Sequence, residues 1–395
     1  MRFRVGHQSA IIASMQSGKV QYLEGLRGIA AMQVVLMHFV TGFMPYTAEH
    51  AWGPLRVLFD GHTAVYVFFL ISGAVLTPSF ARRGTFAAKI CKRILRLGIP
   101  VAAAAVIAMG LIAVMPHAHG VAATLTGSKW LAMDSSGAPT FAHLAREIGF
   151  NSLLLGYREA TLFSPLAPLL PPMERSLDAP FWSLHLELYG SLLVLCLVAL
   201  RAYSVRIHNG MILVSAVVFA THPMFLFVLG HLRGPLPLAS PRKATGVIGA
   251  VLLLLGLALS AIKDWTIVEW LRLLLSHTEL FYAPNLYQFQ SQLAAVALYF
   301  GTLYCSPMWS LLASAPCRYL GRLSFSIYLL HFPILFTVVC LVFTALPSII
   351  LAFLLFLIVT FLAAIAFERL IDRPAIALSH WVGDQRRNSL TSVSA

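Results

Sequence analysis

Long apolar segments separated by short polar loops recur through most of this 395-residue chain. Only 11% of its residues are charged and 59% are hydrophobic, whereas a soluble domain carries about 25% charged residues. A soluble protein of this size would need far more polar surface. The pattern therefore predicts an all-α, polytopic membrane protein in which every backbone polar group is satisfied inside its own helix.

The apolar runs predict a bundle of about ten transmembrane helices with both termini in the cytoplasm, because basic residues gather in alternate loops. The segment at residues 209–232 is too short for two full spans of about 20 residues each. It is interpreted as two short helices hinged at Thr221, His222 and Pro223. The other spans are predicted at residues 28–44, 63–78, 97–115, 180–200, 246–262, 292–305, 323–343 and 348–367, and the short pair at 209–232.

The domain organisation follows from these spans. Residues 1–21 are expected to be a cytoplasmic N-terminal tail without a cleavable signal peptide. Residues 22–377 form the transmembrane domain, whose outer loop covers about residues 116–179. Within that loop, the proline-rich run at 164–172 favours an ordered loop or re-entrant cover over a helix. Residues 378–395 are expected to form a flexible cytoplasmic tail.

The formal charge of +13 does not indicate nucleic-acid binding, because basic patches interleaved with exposed aromatic residues are missing from the sequence. The basic excess is instead typical of cytoplasmic loops that orient membrane spans. The five cysteines have no metal-type spacing and are interpreted as small core residues. No metal site is expected.

The stretch at residues 22–41, YLEGLRGIAAMQVVLMHFVT, contains the first candidate site residues. His38 lies eleven positions after Arg27, about 20° past three whole helical turns and ~16 Å along the axis. The two side chains therefore share one helix face, and Glu24 lies one turn before Arg27. An arginine that snorkels to head groups and a neutral core histidine are the structural alternatives. An ionisable residue near the bilayer middle is nevertheless a functional candidate.

Three further positions carry charge or titratable groups inside or beside the spans. Arg93 and Arg96, three apart, face one way and suit a phosphorylated cytoplasmic ligand. Glu187 lies about two turns into a span and needs a partner there. His185 is two positions away and faces elsewhere, so His38 or an arginine of another helix is expected.

The remaining candidates are small or lie beside a helix breaker. His331 precedes Pro333 and is either a helix-kink residue or part of the site. Ser72 and Gly73, in LISGAVL, are expected to let two helices approach closely.

Six motifs occur in an order that resembles the acyltransferase 3 family of integral membrane acyltransferases. Arg27 and His38 match the family's pattern of an arginine, ten residues and a histidine. Glu368, Asp372 and Pro374 match the closing motif. The motifs are YLEGLRGIAAMQVVLMHF, AVYVFFLISGAVL, KRILRLGIP, PFWSLHLELYG, LGRLSFSIYLLHFPIL and AFERLIDRPA. Tyr66 departs from the family pattern, since many members carry an acidic residue there.

The resemblance implies a stand-alone bacterial inner-membrane enzyme without the esterase-like domain of some relatives. It implies transfer of an acyl group, often acetyl, from cytoplasmic acyl-CoA to a hydroxyl of a carbohydrate, lipid-linked glycan or related acceptor. His38 would be the general base, Arg27 would stabilise the coenzyme or the developing charge, and Glu187 would orient His38 or hold the acceptor. The cofactor-binding residues would be Lys92, Arg93 and Arg96. Supporting residues would be Glu24, Ser72, Trp182, Ser183, Ser324, Tyr328, His331 and Glu368.

A transporter or flippase for a small or lipid-linked anion is the alternative, because broken helices and midplane charges also occur in that class.

Overall fold

A computed structural model describes residues 3–51, 53–133, 139–233, 243–262, 264–276 and 284–382. Within these ranges the protein is helical and contains no β-strand beyond one isolated bridge. Its main helices are α1 (Phe3–Phe43), α2 (Gly61–Ala81), α3 (Phe86–Val114), α4 (Ala118–Thr126), α5 (Phe141–Arg146), α6 (Trp182–Tyr203), α7 (Val205–Val218), α8 (Met224–Arg233), α9 (Lys243–Ala261), α10 (Thr266–Ser276), α11 (Leu286–Tyr304), α12 (Ala315–Ile334) and α13 (Ile349–Phe367).

Shorter pieces connect or extend these helices. α5 runs on as a π-helix, Glu147–Leu155, and α13 as another, Glu368–Asp372. α12 continues through Leu335–Val339 and Cys340–Ala345. Single turns or short helices occur at Pro45–His50, Gly53–Arg56, Val57–Phe59, Ser164–Leu169, Met173–Arg175, Ala179–Phe181 and Ser306–Leu312.

Six described helices are long and apolar enough to cross a membrane, and the number reaches eight if two bent pairs each form one span. The prediction of about ten spans counted α7 and α8, which the structure does show as two short helices. With 14 and 10 residues, both are shorter than the ~20 residues that a helix needs to span. Their break at residues 219–223 contains the predicted hinge.

Several helices extend beyond the predicted apolar runs. α3 begins at Phe86, eleven residues before the predicted start, because the Thr85 hydroxyl accepts the Ala88 N–H at 3.2 Å and caps the helix. Arg93 and Arg96 thus lie on this helix, before the predicted start of the span. The final span continues as Ile349–Val382, so residues 378–382 are helical. The rest of the predicted tail lies outside the described residues.

Close helix crossings place the polar side chains. α1 packs along α12 and against α2, and α2 also packs against α6, α8 and α11. A Cβ atom at Gly73 would overlap the backbone of Phe227, and one at Gly28 would overlap that of Gly321. Gly73 therefore permits the predicted close approach in the way that small residues do in membrane bundles. Ser72 instead contributes a hydrogen bond, described below.

Candidate active site

Two separate cavities open beside α1, one near each candidate residue of that helix. Arg27 lines a cavity of 280 Å³, which we call the arginine cavity, and His38 lines a second of 210 Å³, the histidine cavity. The two cavities share no lining residue. Arg27 and His38 belong to one continuous helix and lie ~16 Å apart along its axis. The two cavities are therefore arranged one after the other along α1.

An ion pair between α3 and α6 forms one wall of the arginine cavity. The Arg93 guanidinium donates a short hydrogen bond to Glu187 Oε1, and Ser72 Oγ donates to the same oxygen at 2.7 Å. The side chains of Arg93 and Glu187 are 9% and 16% exposed, so the pair is largely screened from solvent and its partners depend on each other. Glu187 thus has the expected arginine partner from another helix, and it makes no contact with His38.

The remainder of the arginine cavity is rich in guanidinium groups. Arg27, Arg96 and Arg322 line it together with Arg93. Arg27 lies 6.0 Å from the ring centroid of Phe68, and Arg322 lies over Tyr319. Four carboxyl side chains also face the cavity: Glu24, Glu187, Glu368 and Asp372.

Two of these four carboxylates are already neutralised. Arg93 binds Glu187, and Arg373 binds Glu368 at 2.6 Å. Glu24 and Asp372 are therefore set against three guanidiniums, so the cavity presents net positive charge. Guanidinium forks suit phosphate oxygens. Lys92 does not line this cavity; its Nζ lies 2.6 Å from His380 Nδ1 on an exposed face.

The histidine cavity combines aromatic rings with polar side chains. Trp130, Tyr66 and Trp182 line it, and so do His62, Glu159, Thr161, His222 and Gln288. The rings of Trp130 and His38 lie 5.5 Å apart. Aromatic faces beside hydrogen-bonding groups are typical of small-molecule sites in which a few polar groups fix orientation.

Hydrogen bonds define the tautomers of two histidines. His331 Nδ1 lies 3.0 Å from the Ile327 carbonyl, which can only accept, so this nitrogen carries the proton. His331 Nε2 is then an acceptor in the neutral ring. His38 Nδ1 lies 3.0 Å from that nitrogen and 3.1 Å from the Val34 carbonyl, and therefore donates. His38 Nε2 is left with its lone pair.

A hydroxyl pair lies where the two cavities approach each other. Ser183 Oγ is 2.7 Å from the Tyr328 hydroxyl, which donates to the Pro180 carbonyl at 2.9 Å. Ser183 and Tyr328 line the arginine cavity, whereas Pro180 and the neighbouring Trp182 line the histidine cavity. These side chains form part of the partition between the chambers. Ser324 also lines the arginine cavity and donates to the Gly321 carbonyl of its own helix.

A buried acidic network lies between α3 and α6, in the predicted outer loop, which we call the outer segment. Glu147 Oε1 accepts a short hydrogen bond from Tyr157 and another from Ser152 at 3.1 Å. Burial raises the pKa of Glu147. Burial and the nearby Glu147 raise the pKa of Asp178 well above its usual value. Asp178 lies directly before the Ala179–Phe181 turn, which leads into α6.

Most of the polar residues that line the arginine cavity are among the sequence-predicted site residues, but few of those that line the histidine cavity are. His62, Trp130, Glu159 and Gln288 come from loops and helix ends far apart in the chain, and no local spacing pattern joins them. Arg322 belongs to the LGRLSFSIYLLHFPIL motif but was not selected. Within the described ranges, no cluster of three or more His, Cys, Asp or Glu side chains could hold a metal ion.

A multi-pass helical membrane protein with a basic chamber and a histidine chamber along one helix is suited to group transfer inside the membrane. The sequence profile of the acyltransferase 3 family, described as an acyltransferase domain, matches residues 20–369. The chain belongs to this family and is a membrane acyltransferase. No curated protein and no solved structure matches it.

Proposed function

We propose that the protein transfers an acyl group, preferentially acetyl, from acyl-CoA in the arginine cavity to a hydroxyl of a carbohydrate or related acceptor in the histidine cavity. One observation carries the proposal: Arg27 and His38 project from a single helix into two chambers of opposite chemical character. The basic chamber fits the coenzyme, and the aromatic and polar chamber fits a sugar ring.

The guanidiniums of the arginine cavity would hold the coenzyme. Arg96 and Arg322 are suited to the phosphates, because a planar fork binds phosphate oxygens through two hydrogen bonds. Arg93 is held by Glu187, so the pair contributes a fixed donor edge rather than a free cation. Arg27 opens into this chamber and not beside His38, which favours a role in coenzyme binding over stabilisation of the reacting oxygen.

His38 Nε2 would act as the general base. It removes the proton of the acceptor hydroxyl as that oxygen attacks the thioester carbonyl carbon. The tetrahedral intermediate then expels the coenzyme thiolate, which takes the proton back from the imidazolium. The products are an ester and free coenzyme thiol, with His38 restored to its neutral tautomer. The thioester would reach His38 past Ser183 and Tyr328, which line the arginine cavity next to Pro180 and Trp182 of the histidine cavity.

The orientation of the protein in the membrane follows from the positions of its basic residues. Arg82, Arg83, Lys89 and Lys92 lie at the end of the bundle that contains the arginine cavity, and positive residues favour the cytoplasmic side. Acyl-CoA is a cytoplasmic metabolite, so we place the arginine cavity at the cytoplasmic face of a bacterial inner membrane. The histidine cavity then faces the outer side, where the acceptor is modified.

The test uses the purified protein in lipid nanodiscs with acetyl-CoA and a panel of sugar acceptors. Release of coenzyme thiol should depend on an acceptor and should fall at least a hundredfold in His38→Gln, since general-base catalysis contributes about 10²–10⁴-fold. His117→Gln, an exposed histidine of the outer segment, is the control and should retain full activity. Equal activity in His38→Gln and the control would refute the base assignment.

A further inference from the structure

A further cavity lies in the outer segment and shares no lining residue with the arginine cavity or the histidine cavity. Its volume is 720 Å³, and we call it the outer basic cavity. One wall is formed by α5 together with the π-helix Glu147–Leu155, and the other by the proline-rich run and the chain up to Arg175. The proposed acyl transfer uses none of the residues that line this cavity.

Three guanidinium groups line the outer basic cavity: those of Arg146, Arg158 and Arg175. None of the lining residues carries a carboxylate. Within the part of the chain that the structure describes, none of the three arginines forms an ion pair. The cavity therefore gathers three positive charges without a lining acid to offset them. Guanidinium forks bind phosphate oxygens through paired hydrogen bonds, so the site suits a phosphate group.

The backbone holds the three arginines in defined positions. Arg146 is the last residue of α5, which Thr140 caps. The N–H of Arg158 donates to the Pro171 carbonyl at 3.0 Å. Arg175 ends a single turn that begins two residues after Pro171, and the prolines before that turn restrict the backbone. The basic groups are thus positioned before a ligand arrives, which lowers the entropic cost of binding.

The rim of the outer basic cavity is apolar and faces the lipid. α5 and the π-helix together pack against α3 and α6, two of the helices that are long and apolar enough to cross the membrane. Phe150 and Leu169 line the cavity and are 55% and 82% exposed. Phe141 and Leu154 of the same helical wall are 82% and 41% exposed. Exposed apolar side chains on an element that packs against membrane spans are suited to contact acyl chains.

We propose that the outer basic cavity binds an anionic phospholipid, with the phosphate among the three guanidiniums and the acyl chains along Phe150 and Leu169. A zwitterionic head group would bring an ammonium into a cavity that already holds three positive charges, so a head group with net negative charge is favoured. A free phosphate would satisfy the guanidiniums but would leave the apolar rim uncovered. The inference is independent of the proposed acyl transfer.

Photo-crosslinking in the native protein tests the proposal directly. Phosphatidylglycerol with a diazirine at the start of one acyl chain is incorporated into phosphatidylcholine nanodiscs that contain the protein. Mass spectrometry should locate the label on Phe150 and Leu169. Excess unmodified phosphatidylglycerol should suppress this label about tenfold, whereas phosphatidylethanolamine should not, because charge-assisted hydrogen bonds favour the anionic head group.

Two results of this experiment would overturn the proposal. Label spread evenly over the lipid-facing helices, or suppressed equally by phosphatidylethanolamine, would show only general contact with the bilayer. Suppression by inorganic phosphate as strong as that by phosphatidylglycerol would identify a free anion as the occupant instead of a lipid.

Two double variants provide a comparison matched in charge. Arg146→Gln with Arg175→Gln removes two cations of the outer basic cavity, whereas Arg82→Gln with Arg83→Gln removes two exposed cations elsewhere. Labelling of Phe150 should fall about tenfold in the first variant, which loses charge-assisted hydrogen bonds to the phosphate, and stay within twofold in the second. Equal losses in both variants would show that labelling follows net charge alone and would contradict a site in this cavity. The lipid competition in the native protein decides the proposal even if a variant is unstable.

Discussion

His331 Nε2 lies 3.0 Å from His38 Nδ1, and together with the Val34 carbonyl at 3.1 Å from the same nitrogen it leaves His38 Nε2 as the nitrogen that can take a proton. His331 is itself oriented by the Ile327 carbonyl, so two helices determine the tautomer of the proposed base. A histidine that acts through another group in this way is a positioning residue, comparable to the orienting partner of a catalytic imidazole.

His331→Phe should lower kcat about tenfold, because the proposed base then loses one of its two orienting acceptors, keeps the Val34 carbonyl, and so keeps much of its 10²–10⁴-fold contribution. His331→Gln retains an oxygen that can accept from His38 Nδ1 and should recover much of the rate. The KM for acyl-CoA should not change in either variant. The measurement is steady-state release of coenzyme thiol. A purely structural role for His331 would instead reduce protein stability in both variants without the recovery in His331→Gln.

Substitutions in the Arg93–Glu187 pair should change the stability of the protein and its binding of acyl-CoA in different ways. Glu187→Met leaves Arg93 without its carboxylate partner and should cost about 3 kcal/mol, as expected when one member of a largely buried pair is removed. Arg93→Met together with Glu187→Met should restore most of that stability, because two apolar groups can replace a buried ion pair. Thermal unfolding in detergent measures the stability.

The same double variant should still bind acyl-CoA weakly, at least tenfold below the native protein, because the donor edge of the arginine cavity is lost. Isothermal titration with acetyl-CoA checks this. Native affinity in the double variant would show that Arg93 holds no part of the coenzyme.

Two glycines provide a test of the close helix crossing. Gly73→Ala should destabilise the protein by at least 1 kcal/mol, because the added Cβ atom would overlap the Phe227 carbonyl. Gly110→Ala in α3 is the control, since no heavy atom lies within 4 Å of its added Cβ. It should be neutral or stabilising by up to about 1 kcal/mol through helix propensity. The measurement is the melting temperature of each variant and of the native protein. Equal melting temperatures for Gly73→Ala and Gly110→Ala would contradict the close crossing at Gly73.

The acidic network of the outer segment should make the stability of the protein depend on pH. The pKa of Asp178 is raised in the fold, so the folded state holds a proton that the unfolded state has already released above its usual pKa of about 3.9. Stability should therefore fall as the pH rises from that value to the folded-state pKa. Glu147, whose pKa is also raised, acts in the same direction.

Asp178→Asn should raise the melting temperature more at pH 8 than at pH 5. Glu174→Gln, at an exposed position of the same segment, should change neither value. Intrinsic fluorescence during heating follows the transition. A gain in melting temperature from Asp178→Asn that is no larger at pH 8 than at pH 5 would contradict the assigned sign.

Local reasoning from the sequence was sufficient wherever one helix or one short motif carries the information. The Arg27–His38 spacing predicted that both residues lie on one helix, and the small residue Gly73 predicted a close crossing. The span count was less accurate, because apolar runs show hydrophobicity but not whether a helix is long enough or bent. The extension of α3 to Phe86 depends on the Thr85 cap, a signal that the apolar run conceals.

The sequence by itself determined that the chain is a helical membrane protein with Arg27 and His38 on one helix. It could do so because hydropathy and helical periodicity are local properties. Only the tertiary structure decided that Glu187 binds Arg93, that His331 orients His38, and that His62 and Trp130 share a cavity with His38. Those contacts join helices and loops far apart in the chain, and they depend on how whole helices cross rather than on any spacing within one of them.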